Sequence, residues 1–166
     1  QYYNSQPEID AITNTVDLSN DVVLELACGT GRLSHDLAKH TETYLAIDED
    51  PRLIERASEK HCEFTTPLNF ITAPQNYLPV TENSVDTIIA SWGIDHMRIG
   101  HVLSEFDRIL ADDGSLIIIE EAWGNPEQAN SDYAEILQHV HPGHEFYENK
   151  SRIARVVTGA FTDPVK

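Results

Sequence analysis

Short runs rich in β-branched residues alternate with helical patterns along most of this chain, and that alternation constrains its fold more than any other feature. The run Val85–Ser91 is almost wholly apolar after Asp86, as a strand buried on both faces of a sheet is, and Ser115–Glu120 is predicted to be another buried strand. A chain of 166 residues suits one hydrophobic core. The pattern predicts one α/β domain, a doubly wound and mainly parallel sheet with helices on both faces.

Turn and cap signals divide the chain into elements. Asp50 is a helix N-cap with Pro51 at the first helical position, and Asp112–Gly114 is a turn that ends a helix. We expect strands over Asp21–Leu26, Tyr44–Asp48, Asn69–Thr72, Val85–Ser91 and Ser115–Glu120. We expect helices over Gly31–His40, after Asp50, along the apolar stripe from Ile99 to Leu110, and over Ser131–Val140 and Ser151–Thr158, with Phe161–Lys166 beginning another strand.

The segment Glu25–Gly31, with the sequence Glu-Leu-Ala-Cys-Gly-Thr-Gly, lies between the first strand and its helix. Glycines there allow positive φ and a close approach of the backbone to a ligand, and the helix N-terminus favours a negative group. A dinucleotide fingerprint needs a third glycine, but Ser34 or Arg32 stands there, depending on the register. A nicotinamide-dependent oxidoreductase is therefore disfavoured, and a P-loop is excluded because no Gly-Lys-Ser/Thr follows.

The same segment resembles the first motif of class I S-adenosylmethionine-dependent methyltransferases, which is acidic-x-small-x-Gly-x-Gly. The resemblance covers about Asp21–Glu121 and implies a methyltransferase with strand order 3-2-1-4-5. Further landmarks follow in family order and at family spacing: Asp48 at the end of the second strand, Leu78-Pro79 ahead of Ser84-Val85-Asp86, and Leu110–Gly114 leading into the fifth strand.

The resemblance also implies which residues bind S-adenosylmethionine. Glu25 would steady the glycine turn and meet the methionine ammonium, and Asp48 would accept hydrogen bonds from both ribose hydroxyls. The other implied contacts are the turn backbone at Ala27, Gly29 and Gly31, then Glu49 and Gln75 near the adenine, and Ser91 and Trp92 beside the methionine and sulfonium.

One position departs from the family pattern. Members often carry an acidic residue at the end of the third strand, where it accepts a hydrogen bond from the adenine amino group. The matching residue here is Pro74, whose side chain has no acceptor. Gln75 or Asn76 would substitute through an amide carbonyl.

The methyl acceptor is expected to bind between Trp92–His96 and Glu120–Trp123, because ligands of doubly wound sheets lie beyond the carboxyl ends of the strands. His96 is the candidate base, or else it caps the next helix. We expect a small-molecule acceptor methylated at nitrogen or oxygen. A catalytically silent S-adenosylmethionine-binding partner or sensor protein is the alternative.

The net charge of the chain limits the classes of molecule that it can bind. Twenty-eight acidic and eleven basic residues give a formal net charge of −17, which repels a nucleic-acid backbone or an anionic membrane. This composition suits a high-salt cytoplasm, or a merely acidic mesophilic protein. With no apolar run near the roughly 20 residues that cross a bilayer, we expect a cytoplasmic protein. We expect no metal site, since Pro142-Gly143 separates His139 and His141 from His144.

The expected organisation is a single domain over residues 1–166 with its core at 21–121. Residues 1–20 form an N-terminal lid or cap, in which Tyr2–Tyr3 either close over the cofactor or simply pack. Residues 122–166 form a C-terminal helical segment. Family members continue with an antiparallel hairpin at the sheet edge, and we expect that hairpin to be incomplete or absent here.

Overall fold

The protein is described from a computed structural model, in which residues 5–59, 67–91, 99–119 and 153–156 are described. The described helices are α1 (Gln6–Thr15), α2 (Ser34–Leu37), α3 (Pro51–Glu59) and α4 (Ile99–Ile109), and a 3₁₀ turn over Ala38–His40 follows α2. The described strands are β1 (Val22–Leu26), β2 (Thr43–Asp48), β3 (Leu68–Thr72), β4 (Val85–Ser91), β5 (Leu110–Ile119) and β6 (Ile153–Val156).

The strands form one sheet in the order β3-β2-β1-β4-β5-β6, and each pairing of described strands is parallel. The predicted order 3-2-1-4-5 is confirmed. Strand β1 lies at the centre, so Glu25 has Ala46 of β2 on one side and Ile89 of β4 on the other. The chain reverses its direction of winding between β1 and β4, which is where doubly wound sheets bind ligands.

Each face of the sheet carries its own hydrophobic core. Leu24 and Leu26 of β1 pack on the α4 side, with Val102 and Phe106. Val23 of β1 packs on the opposite side, with Ile9 and Ile12 of α1. The period-two alternation of β1 thus assigns the faces, and the predicted cover of helices on both faces is confirmed.

Two aspartate side chains fix local structure, and the predicted N-cap at Asp50 is confirmed. Asp50 caps α3, since its Oδ1 accepts a hydrogen bond from the Arg52 amide at 2.9 Å and Pro51 occupies the first helical position. Asp86 has a structural role, because its Oδ2 accepts a hydrogen bond from the Val22 amide at 2.8 Å.

Two expected element boundaries are wrong. The helix expected over Gly31–His40 begins only at Ser34, because Gly31 still has positive φ. The turn expected at Asp112–Gly114 lies inside β5 as an irregularity, where Val85 pairs with Leu110 but Thr87 pairs with Ser115. A Cβ on Gly114 would come within 2.9 Å of the Asp86 carbonyl oxygen, so the extra residues stay close to β4.

The expected helix over Ser151–Thr158 is also wrong where the structure describes it. Ile153–Val156 is β6, which pairs in parallel with β5 from Ser115 to Ile118. The edge of β5 offers unpaired backbone groups, and a β-branched residue at each end of β6 favours an extended chain. The expected segments at 1–4, 120–152 and 157–166 lie outside the described residues.

Candidate cofactor site

The turn after β1 has a backbone that few residues adopt. Ala27, Gly29 and Gly31 have φ angles of 57°, 57° and 72°. Positive φ is nearly free of strain for glycine, and a small residue such as Ala27 tolerates it better than a branched one. The three positions are those that the resemblance singles out, and the turn lies at the carboxyl end of β1 with Gly29 half-buried and Gly31 buried.

Gly29 and Gly31 differ in what surrounds them. A Cβ on Gly31 would lie 3.0 Å from the Phe70 ring and 3.1 Å from Nε2 of His35, so the backbone is packed closely there. A Cβ on Gly29 would meet no atom within 4 Å in the described part of the chain. The turn is therefore anchored at Gly31 and open at Gly29.

Asp48, at the end of β2, binds this turn. Its Oδ2 accepts a hydrogen bond from the Gly29 amide at 2.9 Å, and its Oδ1 accepts one from the Asp50 amide at 2.9 Å. The side chain is 8% exposed. Each carboxylate oxygen has a second lone pair, so Asp48 can accept further hydrogen bonds without releasing the turn.

Glu25 lies beneath the turn and is 2% exposed. Its Oε2 accepts hydrogen bonds from the Ser34 hydroxyl at 2.5 Å and from the Tyr44 hydroxyl at 3.0 Å. Burial raises the pKa of the Glu25 carboxyl to about 7, although both hydroxyls and the positive charge of Arg32 favour its ionised form. Glu25 is thus a buried acid whose charge depends on its neighbours near neutral pH.

An ion pair joins the N-terminal helix to the same turn. Arg32 follows Gly31 and donates two hydrogen bonds to the Glu8 carboxylate of α1, one of them from Nη2 to Oε1 at 2.8 Å. Glu8 is 1% exposed, and the ion pair with Arg32 offsets the cost of burying its charge. The first-turn acid of α1 therefore holds the helix against the glycine turn.

Two buried oxygen atoms at the neighbouring strand ends make no hydrogen bond. They are the hydroxyl oxygen of Ser91, the last residue of β4, and the amide oxygen Oε1 of Gln75, in the loop after β3. Most buried polar atoms in folded proteins have a partner, and one without a partner is costly. Both atoms therefore fit a site completed by a polar ligand.

The predicted site residues fall into three groups. The first group lies at the carboxyl ends of β1 and β2 and consists of Glu25, Ala27, Gly29, Gly31 and Asp48. Glu49 follows Asp48 in the sequence and is exposed. Gln75 and Ser91 flank them at the ends of β3 and β4. Trp92 and His96 lie outside the described residues.

Sequence reasoning missed the partners of these residues. It assigned the steadying of the glycine turn to Glu25, but Asp48 makes that hydrogen bond and Glu25 binds Ser34 and Tyr44. One signal could have indicated the contact between Tyr44 and Glu25. Tyr44 lies two residues before Ala46 on the second strand and so on the same face, and Ala46 pairs with Glu25. No sequence signal marked the pairing of Glu8 with Arg32.

The described residues contain neither a metal site nor a membrane span. Among residues 5–59, 67–91, 99–119 and 153–156, no group of three His, Cys, Asp or Glu side chains could hold a metal ion. None of the helices described is long and apolar enough to cross a bilayer. The chemistry of this site consists of carboxylates, amides, a hydroxyl and exposed backbone, which suits a polar organic ligand.

Known proteins resemble this chain in sequence and in fold. The family model described as "Methyltransferase domain" matches residues 23–114, which include the glycine turn, Asp48, Gln75 and Ser91. A S-adenosylmethionine-dependent methyltransferase from Aquifex aeolicus has a similar structure, with a TM-score of 0.68 and 19% identity over 83% of this chain and 82% of that one. At that identity the likeness shows the fold alone.

Two curated relatives match at the level of sequence. The uncharacterized methyltransferase YodH of Bacillus subtilis is 26% identical over 104 residues, which cover 63% of this chain and 45% of that protein. The ubiquinone/menaquinone biosynthesis C-methyltransferase UbiE of Citrifermentans bemidjiense is 31% identical over 105 residues, covering 59% of this chain and 44% of that protein. This chain thus spans less than half of the length of either relative.

Proposed function

The chain belongs to the methyltransferase domain family, and on that premise we propose that it transfers a methyl group from S-adenosylmethionine to a small-molecule acceptor. The observation that carries the proposal is the bond between the Gly29 amide and Asp48, which joins the positive-φ turn of β1 to the carboxylate that ends β2. This junction lies at the carboxyl ends of the two strands, beside the point where the winding of the sheet reverses.

Different residues at and near this junction bind different parts of S-adenosylmethionine in this proposal. Asp48 accepts hydrogen bonds from the two ribose hydroxyls. Each of its oxygens uses one lone pair for the Gly29 or Asp50 amide and has a second lone pair for the ribose. Glu25 provides negative charge for the methionine ammonium, and the open backbone at Gly29 lets the ligand approach. Ser91 donates its unpaired hydroxyl beside the methionine, Trp92 follows it along the chain, and the exposed Glu49 lies at the adenine edge.

The reaction needs alignment more than it needs acid–base chemistry. The cofactor supplies, when bound, a methyl group on a positively charged sulfur. Residues that hold the acceptor in line with that methyl group can provide much of the acceleration. A base is needed only where the acceptor must lose a proton, and we assign that part to His96, five residues after the end of β4.

The acceptor in this proposal is a neutral or cationic small molecule methylated at nitrogen or oxygen. The net charge of −17 supports that class, because it opposes polyanionic acceptors. The relative UbiE is named a C-methyltransferase, and that name belongs to a protein of which this chain covers 44%. Methylation at carbon is therefore the competing outcome that the product analysis must separate.

Parallel binding measurements test the cofactor first. We expect S-adenosylmethionine and S-adenosylhomocysteine to bind in calorimetric titrations under conditions where NAD does not. Turnover is then measured on a panel of amines, phenols and quinol-type carbon acids, with the methylated atom identified by NMR. Binding without turnover on the whole panel would favour a silent cofactor-binding protein, and binding of NAD alone would refute the proposal.

His96→Ala tests the assigned base once an acceptor is known. We expect kcat to fall roughly 10²–10⁴-fold while the affinity for S-adenosylhomocysteine stays unchanged. His101, exposed on α4, offers a matched control whose replacement by alanine should alter neither quantity. An unchanged kcat for His96→Ala would mean that positioning alone drives the reaction.

A further inference from the structure

The segment that joins the glycine turn to α2 has little local structure to hold it. The turn ends at Gly31, whose φ is 72°, and α2 begins only at Ser34 and has four residues. Leu33, directly before the helix, has no side-chain acceptor to cap its first turn. A one-turn helix without a side-chain cap contributes little stability of its own. The Ser34 hydroxyl binds Glu25, so the backbone of Arg32 and Leu33 depends on contacts from elsewhere.

Strand β2 restrains the first half of the turn. The Cys28 amide donates a hydrogen bond to the Ile47 carbonyl oxygen at 3.0 Å. The Gly29 amide donates one to Oδ2 of Asp48 at 2.9 Å. Within the turn, the Gly31 amide donates to the Cys28 carbonyl oxygen at 3.0 Å. These bonds hold residues up to Gly31, and the segment after it needs a different restraint.

Helix α1 supplies a restraint for that segment. Leu33 is buried and belongs to the same hydrophobic cluster as Ile9 and Ile12 of α1. Arg32 donates hydrogen bonds from both of its Nη atoms to the Glu8 carboxylate of the same helix. The two residues between the glycine turn and α2 are thus both held by α1, one through apolar packing and the other through an ion pair.

The ion pair fixes orientation as well as distance. A guanidinium that meets a carboxylate through two parallel hydrogen bonds has a defined geometry, whereas apolar packing tolerates rotation and sliding. The side chain of Glu8 is 1% exposed and that of Arg32 is 31% exposed, so water competes for a small part of the pair. Because Arg32 directly follows Gly31, the pair holds the end of the glycine turn against a helix that is anchored in the core.

We propose that Arg32 and Glu8 are positioning residues for S-adenosylmethionine, whose ion pair holds the glycine turn in its binding conformation, so that α1 determines the affinity for a cofactor to which the pair itself supplies no contact. The inference rests on the proposed function, which places the cofactor at this turn. Without the pair, the turn samples other conformations and the cofactor has to order it on binding. Ordering the backbone of one residue lowers a binding constant about 5- to 30-fold.

A purely electrostatic role for the same residues makes a different prediction. S-adenosylmethionine is a cation, because its carboxylate balances only one of its two positive charges. Arg32 would repel this cation and Glu8 would attract it, so neutralising them would shift the affinity in opposite directions. Positioning requires the intact pair, so the loss of either residue weakens binding.

The test measures the affinity of the full chain for S-adenosylmethionine by calorimetry at constant ionic strength, with thermal melts of each protein. The variants are Arg32→Met, Glu8→Met and the double variant Glu8→Met/Arg32→Met. Lys39→Met is the matched control, because it removes the same charge as Arg32→Met from an exposed ion pair with Asp36, close in sequence.

The double variant separates positioning from folding. Each single substitution leaves a charge without its partner, which lowers stability and complicates the comparison of affinities. An apolar pair in place of a buried ion pair is often neutral for stability or increases it. The double variant should therefore melt no lower than the wild type, while it lacks the oriented hydrogen bonds that hold Arg32 to Glu8.

We expect both single variants to bind S-adenosylmethionine about 5- to 30-fold more weakly than the wild type, with Lys39→Met unchanged. The double variant should bind as weakly as the single variants, because all three lack the same bond. Wild-type affinity in the double variant, or opposite shifts in Arg32→Met and Glu8→Met, would overturn the inference and leave the proposed function standing. If the wild type does not bind S-adenosylmethionine, the proposed function itself fails.

Discussion

The two halves of the cofactor site differ in whether their buried polar groups have hydrogen-bond partners. At the ends of β1 and β2, the Gly29 and Asp50 amides are bound by Asp48, and the Glu25 carboxylate is bound by Ser34 and Tyr44. At the ends of β3 and β4, the Gln75 amide oxygen and the Ser91 hydroxyl oxygen are buried and make no hydrogen bond.

This difference distinguishes side chains whose hydrogen bonds hold the site in place from buried polar atoms that have no partner until a ligand binds. The two hydrogen bonds that Asp48 accepts are formed before any ligand binds, and they fix the backbone that the ligand will contact. A buried polar atom without a hydrogen-bond partner lowers stability, and that loss is offset only when a ligand supplies the partner. Substitutions in the first group should therefore change the stability of the fold, and substitutions in the second should weaken binding without lowering stability.

Asp48→Ala should give the largest effect. We expect the free energy of unfolding to fall by roughly 3 kcal/mol, because the Gly29 and Asp50 amides both lose their acceptor. The affinity for S-adenosylmethionine should weaken by at least about 1–3 kcal/mol as well. Denaturant unfolding and calorimetry measure the two quantities. Asp50→Ala is the control, since it loses the cap of α3 but keeps the amide that binds Asp48. Unchanged cofactor affinity in Asp48→Ala would remove Asp48 from the site.

Glu25→Gln should change how stability depends on pH. The pKa of Glu25 is raised from 4.5 to about 7 in the folded chain, so its contribution to stability is complete below pH 4.5 and is lost as the pH rises through 7. Glutamine can accept the same hydrogen bonds without a charge. Relative to pH 4, the variant should gain up to about 3 kcal/mol over the wild type at pH 8.

The control for that pH profile is Glu105→Gln, because Arg108 lowers the pKa of Glu105. A lowered pKa stabilises the fold above the usual carboxyl range and loses that contribution on acidification. Glu105→Gln should therefore alter only the acid limb. Parallel profiles for the wild type and Glu25→Gln would show that burial does not hold a proton on Glu25.

Salt should act on the surface and leave the buried hydrogen bonds unchanged. With a net charge of −17, raising KCl from dilute to molar concentrations should raise Tm by on the order of 5 °C, because exposed like charges are screened. The destabilisation caused by Asp48→Ala should be the same at both salt concentrations. A flat Tm across the range would leave the acidic composition without this explanation.

Ser91→Ala should give the smallest change in stability, a gain of at most about 1 kcal/mol, because it removes a buried hydroxyl that makes no hydrogen bond. Thr87→Val on the same strand is the matched control. The Thr87 hydroxyl is also buried but donates to Asp21 at 2.7 Å, so its loss should cost about 1 kcal/mol. The affinity for S-adenosylhomocysteine should fall in Ser91→Ala only. Equal stability losses in both variants would erase the distinction between the two halves.

Features with a local cause were predictable from the sequence. Val85–Ser91 matches its predicted bounds because the mostly apolar residues after Asp86 carry the signal of a buried strand, and α3 begins where Asp50 and Pro51 indicate. The positions of Gly29, Gly31 and Asp48 followed from a motif within one strand–turn–strand segment. Such features depend on neighbours along the chain, which a reading of the sequence contains.

Features that depend on register or on a partner surface were not predictable. The contact of Tyr44 with Glu25 requires knowing that Ala46 lies opposite Glu25, and the pairing of Glu8 with Arg32 requires the place of α1 on the sheet. Strand β6 was predicted as part of a helix because its four residues carry little local signal, while the free edge of β5 determines its conformation.

A crystal structure of the chain with S-adenosylhomocysteine tests the central claim most directly. We expect the ribose hydroxyls to lie within hydrogen-bond distance of Asp48, with the Gly29 amide still bound to its Oδ2. We also expect that the Gln75 amide oxygen and the Ser91 hydroxyl each gain a partner from the ligand. A ligand bound away from the ends of β1 and β2, or one that leaves both Gln75 and Ser91 unpaired, would contradict the account.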